Sequence, residues 1–211
     1  MKNKLLGYYN YTIILTYIGM FVGFTGITCV LSQDYIYSII CLMVAGLCDM
    51  FDGAIASTMD RTKQEKFFGI QIDSLSDLIC FGVLPAIFVY SFCEGKGVSF
   101  AFAGFYILCA LIRLAYFNVD EQERQIVSSE SRKIYLGLPV TTAAIIYPFV
   151  FEICSVFILP AKSILLITML AMSILFITPF KLKKPAMLGK LFVLLFGIAE
   201  LLLLFIVLGE V

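Results

Sequence analysis

Apolar residues run along this chain in long blocks separated by short polar or glycine-containing stretches. A helix needs about 20 apolar residues to cross the hydrocarbon of a bilayer. Seven blocks approach or exceed that length, at roughly 11–32, 35–56, 66–92, 99–118, 139–159, 162–179 and 186–209. The sixth is the shortest and abuts its neighbour through Pro160. No stretch alternates like a barrel strand, and no repeat, low-complexity tract or soluble domain separates the blocks. The pattern predicts an all-α integral membrane protein, a polytopic bundle of about seven transmembrane helices (six to eight), with residues 1–211 as a single domain.

Composition supports lipid as the main solvent. Hydrophobic residues make up 61% and charged residues 14%, against roughly 45–50% and about 25% in a soluble domain, and the mean hydropathy is +1.00. A net charge of zero gives no support to nucleic-acid binding. The chain has no histidine, so the usual base at neutral pH and the commonest transition-metal ligand are both missing. Its cysteines (Cys29, Cys41, Cys48, Cys80, Cys93, Cys109, Cys154) show no C-x-x-C pair or zinc spacing, and all but Cys93 sit in apolar runs, where cysteine acts as a small hydrophobe. Lys2 and Lys4 precede the first block without a small-residue cleavage site, which predicts a retained first helix.

Charge counting predicts orientation. With a cytoplasmic amino terminus, one side holds Lys2, Lys4, Arg61, Lys63, Lys66, Arg124, Arg132, Lys133, Lys181, Lys183, Lys184 and Lys190. The other holds Lys96 and Lys162, and Arg113 falls inside the fourth block. That imbalance obeys the positive-inside rule.

Acidic side chains inside spans are costly and usually functional. Asp49 and Asp52 close the second block, and Asp73 and Asp77 lie early in the third. Both pairs therefore fall at one membrane level on adjacent antiparallel helices. At 100° per residue, Asp49, Asp52, Gly53 and Ala56 share one stripe, and Gly69, Asp73 and Asp77 share another. Four anions there need compensation by protons or cations. Oxygen ligands without histidine or cysteine favour Mg²⁺, Mn²⁺ or Ca²⁺ over zinc. Gly53, Ala56 and Gly69 leave room beside the carboxylates, whereas the Gly19–Gly23 pair reads as helix packing.

These residues, within DMFDGAIA and GIQIDSLSD, resemble the CDP-alcohol phosphatidyltransferase signature, D-x2-D-G-x2-A-R, eight residues, then G-x3-D-x3-D. Asp49, Asp52, Gly53, Ala56, Gly69, Asp73 and Asp77 stand at its positions. Ser57 replaces its arginine, and the stretch to Gly69 is three residues longer than usual. Arg61 is a candidate to take the arginine's role, and a solvated basic loop accounts equally well for Arg61, Lys63 and Lys66. The resemblance implies transfer of a phosphatidyl group from a CDP-linked lipid to an alcohol, with release of CMP. It implies one or two Mg²⁺ or Mn²⁺ ions held by Asp49, Asp52, Asp73 and Asp77, with Asp77 as general base. It also implies nucleotide contacts at Gly53, Ala56 and Gly69, and a homodimer.

RLAYFNV (Arg113–Val119) and YLGLPVTT (Tyr135–Thr142) resemble the phosphatidylserine synthase branch. They imply CDP-diacylglycerol and serine as substrates at a cytoplasmic membrane. Arg113 is a candidate to hold the donor phosphate or the acceptor carboxylate, its fork suiting either, or to pair with an aspartate. Pro139 opens the fifth block as helix physics expects, and Thr141 and Thr142 either bond an acceptor or bond back to their own helix. Glu152 and Glu200 lie far from the aspartate level and are given helix-pairing or interfacial roles. The polar stretch 119–134 reads as a rim. Glycerol 3-phosphate or inositol phosphate as acceptor, or a cation transporter with an aspartate-lined path, are the rival readings.

Overall fold

In the computed structural model, residues 6–127, 134–183 and 187–209 are described. They form the all-α membrane bundle that the blocks predict. A short 3₁₀ turn, Tyr11–Ile13, leads into α1 (Ile14–Leu31), followed by α2 (Tyr35–Ala56). A continuous α3 (Lys63–Phe92) includes a π-helical segment, Leu78–Val83. Then come α4 (Ser99–Val127), α5 (Ala143–Val156), α6 (Ala161–Ile177) and α7 (Met187–Gly209). The first four are long and apolar enough to cross a membrane, and the last three carry shorter apolar stretches.

Several boundaries differ from the predicted ones, those of α3 and α4 most plainly. α3 begins at Lys63 rather than 66, because Thr62 and Glu65 form a reciprocal capping box that satisfies two orphan donors at the helix start. The fourth helix continues past 118 to Val127, so the first half of the expected rim is helical. Residues 128–133, with Arg132 and Lys133, lie outside the described residues, as do Lys2, Lys4 and Lys184 and the side chain of Lys190.

A two-stranded antiparallel pair, β1 (Ile134–Leu136) with β2 (Lys181–Lys183), was not foreseen. Three residues a side are too few to show alternation. Gly137, at φ +72°, turns the chain out of β1, and its amide donates to the Phe180 carbonyl at 2.8 Å. A side chain there would be strained in backbone and would strike the Phe176 carbonyl.

Contacts at the two ends of the bundle define its levels. At one end Thr16 meets Asp52, Ser74 meets Asn118, and Arg113 meets Leu138. At the other, the rings of Tyr35, Phe88, Phe92 and Phe151 form an edge-to-face cluster. Beyond that cluster Glu94 bridges Lys96 and Lys162, which hold its carboxyl down to about 2, Lys162 the more strongly. The core between is apolar and tight. A Cβ on Gly23 would stand 2.5 Å from the Cys80 sulfur, so α1 and α3 touch nearly backbone to backbone. All seven cysteines are free thiols.

Candidate active site

The segment joining α2 to α3 sets the site's width. Ser57 and Thr58 turn their hydroxyls back onto the carbonyls of Ala54 and Ile55, at 2.6 and 2.8 Å, closing α2. The capping box then starts α3, so the last turns of α2 face the middle of α3 across a short polar connection. Asp49, Asp52 and Asp73 each present a carboxylate oxygen, and these lie within 4.8 Å of one another. The Thr16 hydroxyl of α1 donates to Asp52 Oδ2 at 3.3 Å. Asp77 stands one turn beyond Asp73, outside the trio but lining the same cleft with Thr16, Cys48 and Ser76.

This arrangement brings together the four acids that the spacing selects, with three converging and the fourth offset. All-oxygen donors at that separation, without nitrogen or sulfur ligands, suit a hard divalent cation better than zinc. The trio is a physical fit for such an ion because three anions at this spacing repel unless something positive lies between them.

The backbone of α3 changes phase beside Asp77. The π segment starts at the next residue, a feature often found where a helix serves a site. Pro85 follows it and has no N–H to offer the carbonyl of Phe81 four residues back. The buried Tyr106 hydroxyl supplies that donor instead, at 2.9 Å. α3 is thereby tied to α4 just above the carboxylates.

Arg61 folds back onto Gly69: a Cβ at Gly69 would lie 3.2 Å from Arg61 Nη1. Its Nε is buried with no hydrogen-bond partner among the described residues. Ser57 itself is spent on helix closure. Gly53 is open, with no atom within 4 Å of where a Cβ would stand.

The two further motif segments meet. Arg113 is 8% exposed, its Nε donates to the Leu138 carbonyl at 3.2 Å, and its guanidinium lies 5.0 Å over the Phe117 ring. Its charge also bears on Asp77. Thr142 donates to the Pro139 carbonyl at 2.7 Å, which is the back-bonding alternative. Pro139 caps a 3₁₀ turn, Val140–Thr142.

Sequence reasoning missed three supporting side chains. Thr16 is one of several threonines in the first block, and only its position three residues before Gly19 signals that it faces α2 and α3. Ser76 donates to the Thr16 carbonyl at 3.4 Å. Asn118 accepts from Ser74 at 2.6 Å and donates to Gln71 at 3.2 Å, fixing the turn of α3 that carries Asp73.

Comparison with known proteins adds a family to this geometry. A model of the CDP-alcohol phosphatidyltransferase family matches residues 9–195. A CDP-diacylglycerol–serine O-phosphatidyltransferase of Saccharomyces cerevisiae is 32% identical over 60% of this chain and 49% of its own. An archaetidylserine synthase of Methanothermobacter thermautotrophicus is 33% identical over 61% of this chain and 54% of its own. A CDP-diacylglycerol–serine O-phosphatidyltransferase of Methanocaldococcus jannaschii is 26% identical over 88% of this chain and 80% of its own. The chain thus spans about half the length of the first two relatives.

Proposed function

The chain belongs to the CDP-alcohol phosphatidyltransferase family, and from that premise we propose that it transfers the phosphatidyl group of CDP-diacylglycerol to the hydroxyl of L-serine, giving phosphatidylserine and CMP. The observation that carries this reading is the convergence of Asp49, Asp52 and Asp73, with Asp77 offset in the same cleft. The serine-specific names of the relatives support the acceptor.

Asp49, Asp52 and Asp73 are the residues that would hold Mg²⁺ or Mn²⁺, with Asp77 able to join a second ion. When bound, such an ion neutralises the pyrophosphate and the charge gathering on the departing CMP. The acceptor hydroxyl oxygen forms a bond to the lipid phosphorus as the bond to the CMP oxygen breaks. Asp77 takes the hydroxyl proton, which a carboxylate does when it sits within hydrogen-bond reach. Arg113 is held by Leu138 and Phe117 and presents its guanidinium fork to the donor phosphate or the serine carboxylate. Arg61 against Gly69 supplies the positive charge that Ser57 lacks.

The basic residues on the aspartate side, Arg61, Lys63, Lys66, Lys181 and Lys183 among them, support a cytoplasm-facing site in a cytoplasmic membrane. A phosphorylated acceptor would call for further cations near the cleft, where Arg113 and Arg61 are the nearby pair among the described residues. A transporter would need a polar path through the bundle, but Phe81, Leu84 and Phe88 fill the core above Asp77.

Purified protein with labelled CDP-diacylglycerol and a panel of alcohols tests the acceptor. CMP release with serine at least tenfold above that with glycerol 3-phosphate or inositol phosphate is expected; the reverse order would discard serine. Gly53→Leu tests the nucleotide side of the cleft. No neighbour crowds that position, so the midpoint of thermal unfolding should hold while KM for CDP-diacylglycerol rises about tenfold, some 1.4 kcal/mol. An unchanged KM would remove Gly53 from the nucleotide site.

A further inference from the structure

The segment before α1 crosses the connection between α2 and α3. Tyr11, which opens the first 3₁₀ turn, places its hydroxyl 3.0 Å from Thr58 Oγ1. Thr58 spends its one hydroxyl proton on the Ile55 carbonyl at 2.8 Å, so Tyr11 is the donor. Three residues earlier, Tyr8 donates to Gln64 Oε1 at 2.9 Å, and its ring stands edge-on to Phe68 with centroids 5.6 Å apart. One hydroxyl thus holds the end of α2 and the other holds the first turn of α3. Asn10 fixes the segment between them, its side chain accepting from the Thr12 amide at 3.1 Å and so capping the turn that carries Tyr11.

Between the two holds lies Arg61. Asp60, Thr62 and Lys63 are exposed, whereas Arg61 is half-buried and its Nη1 packs against Gly69. Gly69 stands one turn before Asp73 on the same stripe of α3. The guanidinium is not paired there: its Nε is buried without a hydrogen-bond partner, and it forms no ion pair among the described residues. Glu65, one turn on, is taken by the Thr62 capping box.

A buried N–H without an acceptor costs free energy, and a long side chain on an untied connection gains rotamer freedom by swinging into water. Something must hold Arg61 inward, and the tyrosine bonds grip the chain on either side of it. We propose that Tyr8 and Tyr11 are positioning residues that latch the α2–α3 connection and keep Arg61 against Gly69, where its guanidinium binds the diphosphate of the CDP-linked donor. The inference rests on the phosphatidyl-transfer reading of the same cleft. Both tyrosines act through Arg61, and holding it in place beforehand spares the donor the cost of ordering the connection.

Tyr8→Phe with Tyr11→Phe removes the two hydroxyls and keeps both rings. Calorimetric titration of the full chain with CDP in Mg²⁺ reads diphosphate binding without turnover. The double variant should bind CDP about three- to tenfold more weakly, the range that one or two exposed hydrogen bonds supply. KM for CDP-diacylglycerol should rise alike, with a smaller change in kcat and none in KM for serine. In an Arg61→Ala background the same two substitutions should cost nothing more, because the residue they position is gone. Unchanged CDP affinity in the double variant would overturn the proposal, and so would an equal loss with and without Arg61. The two readings fail separately. Wild-type protein that binds CDP yet releases no CMP with any alcohol refutes the transfer reaction, and the binding cycle still decides the latch. Turnover with serine and a CDP affinity indifferent to the tyrosines refutes the latch alone.

Discussion

Replacing Asp77 by Asn is expected to cut turnover by about 10²–10⁴-fold, the range a positioned proton acceptor contributes, while CDP-diacylglycerol still binds. Asn matches Asp in volume, so the packing under the π segment has no reason to change. The substitution removes one charge and one proton acceptor beside a converging trio that Asp77 does not itself complete. Its effect should therefore fall on kcat more than on KM, the mark of an interaction made in the transition state. Asp77→Glu restores an acceptor displaced by one methylene and should recover part of the rate. If Asp77 served only as a structural counter-charge for Arg113, Asp77→Asn would lower the unfolding midpoint instead and leave kcat largely in place. Steady-state kinetics beside thermal unfolding separate the two cases.

Much of this site was legible in the sequence because it depends on spacing within two helices. Asp49 and Asp52 three apart, and Asp73 and Asp77 four apart, can face one partner only in helices, and the intervening connection is short enough to make those helices neighbours. The features that escaped depend on contacts between distant segments. Nothing local to Thr16 says that its hydroxyl will reach Asp52, 36 residues away. Asn118 looks like one more polar residue near a helix end until Ser74 and Gln71 are found on it. Arg61 was ambiguous for a related reason: a basic connection obeys membrane charge bias whether or not it bends inward, and only its approach to Gly69 distinguishes the two. The β1–β2 pair escaped because its strands are separated by two helices and are too short to carry a period.

The glutamates show the limit from the other side. Their remoteness from the aspartate level could be read from residue counting, since Glu152 lies near the far end of α5 and Glu200 past the middle of α7. Their burial could not, because that depends on how α5 and α7 rotate within the bundle. Once packed, Glu152 and Glu200 are both buried, separated from the aspartate cleft by an apolar core that includes Phe81, Leu84 and Phe88.

Chelation of divalent metal should reduce CMP release to background, and adding back Mg²⁺ or Mn²⁺ should restore it. A sharper expectation concerns stability and its sign. Three carboxylates with oxygens within 4.8 Å repel pairwise, by about 1 kcal/mol per pair in water and about 4 kcal/mol at the effective dielectric of a protein surface. Neutralising one of them, as in Asp73→Asn, removes two of the three repulsions. In chelator, then, the Asp73→Asn protein should unfold at a higher temperature than the wild type. Mg²⁺ should reverse the order. A ligand at a hundred times its Kd adds about 2.7 kcal/mol to the state that binds it, and the wild type has all three ligands while the variant has two. Activity should follow the metal rather than the stability, so the variant that is tougher in chelator is the inactive one. Asp52→Asn should behave alike, softened by the Thr16 hydroxyl, which loses a charged acceptor. Unfolding midpoints that keep one order with and without Mg²⁺ would mean that the trio does not grip a cation, and the phosphatidyl-transfer mechanism would then have to be built without those carboxylates as its centre.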